Sequence, residues 1–156
     1  MAGINSSTSK PIAVVDSNVL IYAMIKDYPD KNRHEKSLAL LESGLRGQLN
    51  YVLAINPIIV VEVFSVLRKF LGCDEAELRI NTLLHSRRLG FLLISKEACQ
   101  NSIKWAKEKD IPVNDALIVA SMLHYAELIY TFDEEHFKKL EEHITVINPT
   151  IATFEI

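Results

Sequence analysis

Residues 12–23 read IAVVDSNVLIYA, and this stretch decides the fold. Ile12 to Val15 is a short apolar run, as expected for a strand that is buried on both faces. Asp16 follows the run, and Val19 to Ile25 then supplies the apolar residues of a short helix. A buried strand that leads directly into a helix predicts a parallel α/β sheet, and open sheets of this kind bind ligands at the carboxyl ends of their strands.

The rest of the chain repeats this alternation of strand and helix. Further strands are predicted at 51–55, 91–94, 128–132 and 144–147, with helices between them that include 57–71, 74–85, 115–126 and 134–142. This order predicts a single α/β domain with a largely parallel central sheet of about five strands and helices on both faces. Residues 1–10 are polar and are interpreted as a flexible N-terminal tail, so the domain is expected to span 11–156.

Composition excludes several classes of protein. The chain has 156 residues and a formal net charge of −3, which argues against a histone-like, generally basic binder of nucleic acid. A nucleic-acid substrate remains compatible with this charge if a local basic rim and a bound metal contact the phosphates. The longest apolar run is interrupted by Glu62 and is too short to span a bilayer, and the first ten residues lack the apolar core of a secretory signal. We therefore expect a cytoplasmic protein with no membrane partner.

Four carboxylates stand in strongly apolar sequence, at predicted strand ends or in the opening turns of helices: Asp16, Glu62, Asp115 and Asp133. Removing an unpaired charge from water costs several kcal/mol or more, so such positions need a partner. A shared divalent cation would supply one. If the fold brings the four together, they predict a metal-dependent enzyme site.

Two of the acids also have a structural explanation, and it is stronger for Asp133 than for Asp16. Asp16 and Asp133 both stand where the N-cap of a helix is predicted, a role that aspartate fills well. Phe132 and Phe137 flank Asp133 at the spacing of a hydrophobic staple. Capping and metal binding are compatible, because a capping carboxylate keeps a second oxygen and further lone pairs.

The other two acids are harder to explain by local structure. Glu62 has no cation three or four residues away, so it needs a distant Arg or Lys, an exposed polar edge, or a metal. Asp115 can interact favourably with the N-terminus of its helix. Asn114 could provide the cap instead, which makes Asp115 less necessary for structure.

Other catalytic patterns are absent from the sequence. No GxGxxG, Walker A or GxSxG motif occurs, and the histidines show no HxxxH or HExxH spacing, which argues against zinc catalysis. The histidines are His34, His85, His124, His136 and His143. A phosphoacceptor site at Asp16 is a rival hypothesis. A haloacid-dehalogenase-type site would need a second Asp where Asn18 stands, and the acidic pair and late lysine of a receiver domain are not evident.

The acidic segments, in this order, resemble those of the PIN-domain ribonucleases and, within that family, the small VapC-like toxins. The matching segments are VVDSNVLIYA (14–23), PIIVVEVFSVL (57–67), VNDALIVASM (113–122) and YTFDEEHF (130–137). The resemblance aligns the family's four acids with Asp16, Glu62, Asp115 and Asp133, in that order. It also implies that Asn18 and Thr131 are polar residues that support the ligands or orient water.

This resemblance implies a Mg²⁺- or Mn²⁺-dependent endoribonuclease that cleaves single-stranded RNA and leaves a 5′-phosphate and a 3′-hydroxyl. Asp16, Glu62, Asp115 and Asp133 would be both the catalytic residues and the metal ligands. The implied partners are the RNA substrate, a cognate antitoxin protein and a second copy of the chain in a homodimer. The candidate RNA contacts are the cationic residues Lys10, Arg33, Arg87 and Arg88. The alternative is a PIN-like RNA-processing nuclease, or a non-catalytic RNA-binding module, outside a toxin–antitoxin system.

Overall fold

The computed structural model describes residues 9–151. Residues 1–8 of the predicted tail and residues 152–156 of the predicted domain therefore lie outside the described residues. Lys10, at the end of the predicted tail, is described, and its Nζ donates hydrogen bonds to the backbone oxygens of Gly47 (3.3 Å) and Leu49 (2.7 Å). These bonds attach the start of the described chain to the turn that precedes the second strand.

Strands and helices alternate along the described residues. The strands are β1 (Ile12–Val15), β2 (Val52–Ile55), β3 (Gly90–Phe91), β4 (Ala126–Tyr130) and β5 (Thr145–Ile147). The helices are α1 (Ser17–Met24), α2 (Lys31–Leu45), α3 (Pro57–Leu71), α4 (Cys73–His85), α5 (Lys96–Lys109), α6 (Val113–Met122) and α7 (Glu134–Lys138). None of the helices over residues 9–151 has both the length and the apolar character needed to cross a bilayer.

The strands form one parallel sheet in the order β3-β2-β1-β4-β5. This arrangement confirms the predicted fold class. Because parallel crossovers are right-handed, α1 to α4 lie on one face of the sheet and α5 to α7 on the other. In chain order, β2 and then β3 are added on one side of β1, and β4 and then β5 are added on its other side. The junction between β1 and β4 is thus the switch point of the topology, where open α/β sheets form ligand crevices.

The core explains why the central strands lack an alternating pattern. Ala13, Val14 and Val15 of β1 are all at most 1% exposed, since helices cover both faces of the strand. In α6, six of the ten residues are buried, which accounts for its nearly uniform apolar sequence. Each large side chain buried in this way contributes about 1.5–3 kcal/mol to stability.

Several predicted boundaries were wrong: the strand predicted at 128–132 is β4 (Ala126–Tyr130), and three further elements end earlier than predicted. The strand predicted at 91–94 is the two-residue β3, because it is an edge strand that pairs only with β2, and Leu93 beyond it is 76% exposed. The helix predicted to reach Ala126 ends at Met122, and His124 turns the chain with a φ of 71°. The helix predicted at 134–142 ends at Lys138, after which the chain continues in turns.

Candidate metal centre

The candidate site lies at the carboxyl edge of the sheet, at the switch point between β1 and β4. Asp16 follows β1 directly, and Asp133 follows β4 after a two-residue link. Glu62 is in the second turn of α3, and Asp115 is in the first turn of α6. The helices α3 and α6 contact each other although they belong to opposite layers. Four segments that are distant in sequence therefore bring their acids to one place.

Asp16 is a buried carboxylate with two fixed oxygens. Only 4% of the residue is exposed, and its Oδ1 accepts a hydrogen bond from the backbone N–H of Ser17 (2.8 Å), which caps α1 as predicted. Its Oδ2 accepts a hydrogen bond from Oγ1 of Thr131 (2.7 Å). Burial raises the pKa of Asp16, the two hydrogen bonds oppose this shift, and the charges of Asp115 and Glu62 add to it, so that the pKa is raised to about 7.

Glu62 joins the site through hydrogen bonds rather than through an ion pair. Its Oε2 accepts a hydrogen bond from Oγ of Ser17 (2.5 Å), and Oγ of Ser17 is also 3.4 Å from Oδ1 of Asp16. Its Oε1 accepts a hydrogen bond from Nδ2 of Asn114 (3.3 Å). Over residues 9–151, no Lys or Arg forms a salt bridge with Glu62, so a distant cation does not explain its position. Asn114 does not cap α6, whose N-cap position is Pro112.

Asp115 and Asp133 meet at a histidine that the sequence did not reveal as part of the site. Nδ1 of His136 lies 3.0 Å from Oδ2 of Asp115 and 2.8 Å from Oδ2 of Asp133. Asp133 is the N-cap of α7, as predicted, with its Oδ1 3.5 Å from the backbone nitrogen of His136. One potential ligand atom from each of these three residues lies within 4.8 Å of the other two. The sequence feature that could have identified His136 is its position three residues after Asp133, because residues at this spacing are neighbours on a helical turn.

The carboxylates of the site shift the pKa values of their titratable neighbours. Burial and the charge of Asp133 raise the pKa of Asp115, His136 partly opposes them, and the resulting pKa is about 6. Burial disfavours the charged ring of His136, but Asp133 and Asp115 outweigh burial and raise its pKa above the ordinary value. The carboxylates thus repel one another in the protein alone, and a divalent cation would relieve that repulsion.

Thr131 and Asn18 hold the two halves of the site together. Besides donating to Asp16, Oγ1 of Thr131 accepts hydrogen bonds from the backbone N–H of Asp133 (3.0 Å) and from Nδ2 of Asn18 (3.4 Å). Oδ1 of Asn18 accepts a hydrogen bond from the backbone N–H of Phe132 (3.3 Å). The carboxylate after β1 and the segment after β4 are therefore fixed relative to each other.

The four predicted RNA contacts are divided between the two edges of the sheet. Lys10 precedes β1, and Arg87 and Arg88 precede β3, so all three lie at the amino edge, opposite the acids. Arg33 lies on the acidic side, since its Cζ is 4.8 Å from the ring centre of Phe132, the residue before Asp133. The structure therefore brings only Arg33 of this group to the neighbourhood of the site, and an RNA contact by any of the four stays a prediction.

The residues at the site fit a hard divalent cation. Such ions favour carboxylate oxygens, and the site offers oxygens from Asp16, Glu62, Asp115 and Asp133. Asp16 is buried without a cationic side chain hydrogen bonded to it among the described residues, as expected for a ligand. Sequence and structure thus agree on an acidic cluster that could hold a metal ion.

Fold and site together define a parallel α/β protein with an acidic cluster at its switch point. The sequence model of the PIN domain matches residues 13–142, and the chain belongs to this family. A search of curated proteins gave no match.

Solved structures of similar fold come from several bacteria. A toxin–antitoxin complex from Klebsiella pneumoniae is 20% identical over 92% of this chain and 99% of that chain, with a TM-score of 0.61. VapBC2 from Rickettsia felis, bound to a promoter DNA fragment, is 20% identical over 88% and 98% of the two chains, with a TM-score of 0.64. VapC20 of Mycobacterium tuberculosis, a toxin that cleaves the sarcin–ricin loop, is 15% identical over 81% and 93%, with a TM-score of 0.66. At these identities the likeness is evidence for the fold.

Proposed function

We propose that the protein is a Mg²⁺- or Mn²⁺-dependent endoribonuclease that hydrolyses single-stranded RNA, and that it is the toxin of a toxin–antitoxin pair in the cytoplasm. The observation that carries the proposal is the set of four acids around the switch point, linked through Ser17, Thr131 and His136. Membership of the PIN domain family supports the nuclease activity. The toxin–antitoxin complexes among proteins of the same fold support the biological role.

Each acid has a role in the proposed reaction. Asp16 and Asp115 would be the first ligands of a metal ion, and Glu62 and Asp133 would either hold a second ion or accept the proton of the attacking water. The metal, when bound, lowers the pKa of water and stabilises charge on the scissile phosphate. Thr131 keeps one oxygen of Asp16 oriented through its 2.7 Å hydrogen bond, and Ser17 does the same for Glu62. Attack of the water oxygen on phosphorus would break the bond from phosphorus to the 3′-oxygen, which takes up a proton and leaves as the 3′-hydroxyl, while the other fragment keeps a 5′-phosphate.

The proposed partners are an antitoxin and a second copy of the chain. The long helix α3 leaves two large apolar side chains in solvent, Val61 at 64% and Phe70 at 57% exposure. Exposed apolar side chains of this size favour burial in a protein interface. We propose that α3 contributes to the homodimer or to the antitoxin contact.

Purified protein is expected to cleave single-stranded RNA with Mn²⁺ or Mg²⁺ and to lose this activity in EDTA. The physical reason is that carboxylates alone would repel a phosphodiester, whereas a bound cation attracts it. Cleavage is measured on a labelled oligonucleotide pool, and the product ends are read by phosphatase and ligase treatment. A protein that binds the pool but leaves it intact with either ion would instead favour the non-catalytic RNA-binding module.

Arg33 is the cation best suited to contact the RNA near the acids. Its guanidinium lies over the rings of Phe132 (4.8 Å) and Tyr22 (5.6 Å), and its Nε is 3.5 Å from Oδ2 of Asp30. The side chain is 38% exposed, so its outer nitrogens remain accessible to a phosphate. The two rings restrict the side chain and thereby lower the entropy lost when a phosphate binds.

Arg33→Ala is expected to raise the KM for RNA about tenfold, the equivalent of one charge-assisted hydrogen bond. The slope of log affinity against log salt should also fall by about 0.7, as expected for one lost phosphate contact on a single strand. Arg87→Ala is the matched control, because Arg87 is exposed and precedes β3 at the opposite edge of the sheet. Equal effects of the two variants would show that Arg33 has no special place in RNA binding.

A further inference from the structure

His136 lies between two of the four acids, Asp115 and Asp133. Its Nδ1 lies between two carboxylate oxygens, Oδ2 of Asp115 and Oδ2 of Asp133, at 3.0 and 2.8 Å. A single nitrogen contacts both acids. Asp115 belongs to α6, whereas Asp133 is the N-cap of α7.

The distances around Nδ1 match those between neighbouring ligands of an octahedral ion. Ligand atoms at about 2.1 Å from Mg²⁺ or Mn²⁺, at right angles, lie about 3.0 Å from each other. The separations of Nδ1 from the two carboxylate oxygens are 3.0 and 2.8 Å, so these atoms need little rearrangement to surround one ion. The three residues are also the group whose potential ligand atoms lie within 4.8 Å of one another.

We propose that His136 is a direct ligand of the divalent ion, so that the site combines one imidazole nitrogen with carboxylate oxygens and selects Mn²⁺ over Mg²⁺. The inference rests on the proposed divalent-ion site: it takes the ion-binding alternative for Asp133, on an ion shared with Asp115, and adds His136 as a further ligand. Mg²⁺ and Mn²⁺ both favour oxygen ligands, but Mn²⁺, as a first-row transition ion, accepts an imidazole nitrogen more readily than Mg²⁺ does. A nitrogen ligand therefore changes which ion the site prefers.

The local structure supports this geometry. Asp133 caps the helix that carries His136, so the acid and the imidazole are held on the same short element. The side chain of His136 is 33% exposed, which leaves the ring reachable by an ion that enters from solvent. The side chain of Asp115 is 17% exposed, so it is the more buried of the two partners.

The decisive measurement is the electron spin echo envelope modulation of Mn²⁺ bound to the protein. Directly coordinated imidazole gives a ¹⁴N modulation that water and carboxylate ligands do not give. We expect this modulation in the wild type, its replacement by a ¹⁵N pattern when histidine alone is labelled, and its loss in His136→Asn. The labelled wild type needs no substitution, so the test remains valid if the variant folds poorly.

The matched control is His143→Asn. His143 stacks on Trp105, with ring centres 4.5 Å apart, and its Nε2 is 3.4 Å from Glu142, in an ion pair separate from the acidic group. This variant should keep the ¹⁴N modulation. Calorimetric titration should show that His136→Asn weakens Mn²⁺ binding roughly tenfold or more while Mg²⁺ binding changes less, since loss of support at a metal site costs about 10–100-fold.

The failure of this inference and that of the proposed function are distinguishable. Mn²⁺ that binds the wild type without nitrogen modulation would overturn the role of His136 and leave the carboxylate site intact. An unchanged preference between Mn²⁺ and Mg²⁺ in His136→Asn would also overturn it. A wild type that binds neither ion and cleaves no RNA would contradict the proposed function itself.

Discussion

Asp16→Asn is expected to reduce metal-dependent RNA cleavage by about 100- to 1000-fold, because a metal ion contributes several kcal/mol to the transition state and each 1.36 kcal/mol is about tenfold. Asn keeps the size of the side chain and removes its charge. It is also as good an N-cap as Asp, so the bond that Asp16 accepts from Ser17 at the start of α1 has a replacement. The domain should therefore remain folded while the ion loses a ligand.

The control for this variant is Glu127→Gln. Glu127 is exposed and lies near the amino end of β4. It is therefore at the opposite end of the strand from Thr131 and the acids. The substitution removes one negative charge without touching the site, and cleavage should change less than about twofold. Full activity of Asp16→Asn, measured on folded protein at saturating Mn²⁺, would count against Asp16 as a ligand and against the proposed nuclease mechanism.

The central part of the fold follows from sequence because its signals are local. The run from Ile12 to Val15 reads as a buried strand, and Asn56 with Pro57 marks the start of α3, where Asn56 does cap the helix. The short edge strand β3 could not be predicted in the same way. Phe91 and Leu93 are apolar yet 46% and 76% exposed, so their sequence resembles that of a buried strand although they are at the surface.

The acids of the candidate site could be identified because burial of an unpaired charge leaves a trace in the sequence. Glu62 stands in an apolar helix with no cation within one turn, and in the structure a serine and an asparagine are its hydrogen-bond partners. His136 was harder to identify from the sequence. A histidine next to acids on an exposed turn is an ordinary surface pattern, and its contact with Asp115 depends on the packing of α7 beside α6.

The position of the basic residues could have been predicted more closely. Lys10 and Arg87 each precede a strand, and the starts of parallel strands share the edge opposite to their ends. Arg33 follows a loop, and its place over Phe132 depends on the return of β4 beside β1, which is a property of the topology. The charge of a residue alone does not show whether it lies at the amino edge of the sheet or near the acids.

Asp115→Asn is expected to raise the Tm of the metal-free protein by about 2–6 °C and to abolish the stabilisation by Mg²⁺. Burial and the neighbouring charge of Asp133 raise the pKa of Asp115 from 3.8 to about 6. Between these two pH values the native carboxyl still holds a proton that the unfolded chain has released, so stability falls as pH rises through this window. The variant lacks this loss. The gain in stability of Asp115→Asn over the wild type should therefore be absent below pH 3.8 and complete above about pH 6.

Scanning calorimetry in EDTA and then in excess Mg²⁺ separates the two effects of this substitution. At a concentration 100 times the Kd, an ion adds about 2.7 kcal/mol to the wild type, and the variant should show none of this gain. Asp74→Asn is the matched control, since Asp74 is an exposed acid in the first turn of α4. It should lower the metal-free Tm slightly, because it loses a favourable interaction with the helix N-terminus, and it should keep the Mg²⁺ gain. A Mg²⁺-dependent shift that survives in Asp115→Asn would mean that the ion binds elsewhere, since the repulsion among these carboxylates is the reason to expect it here.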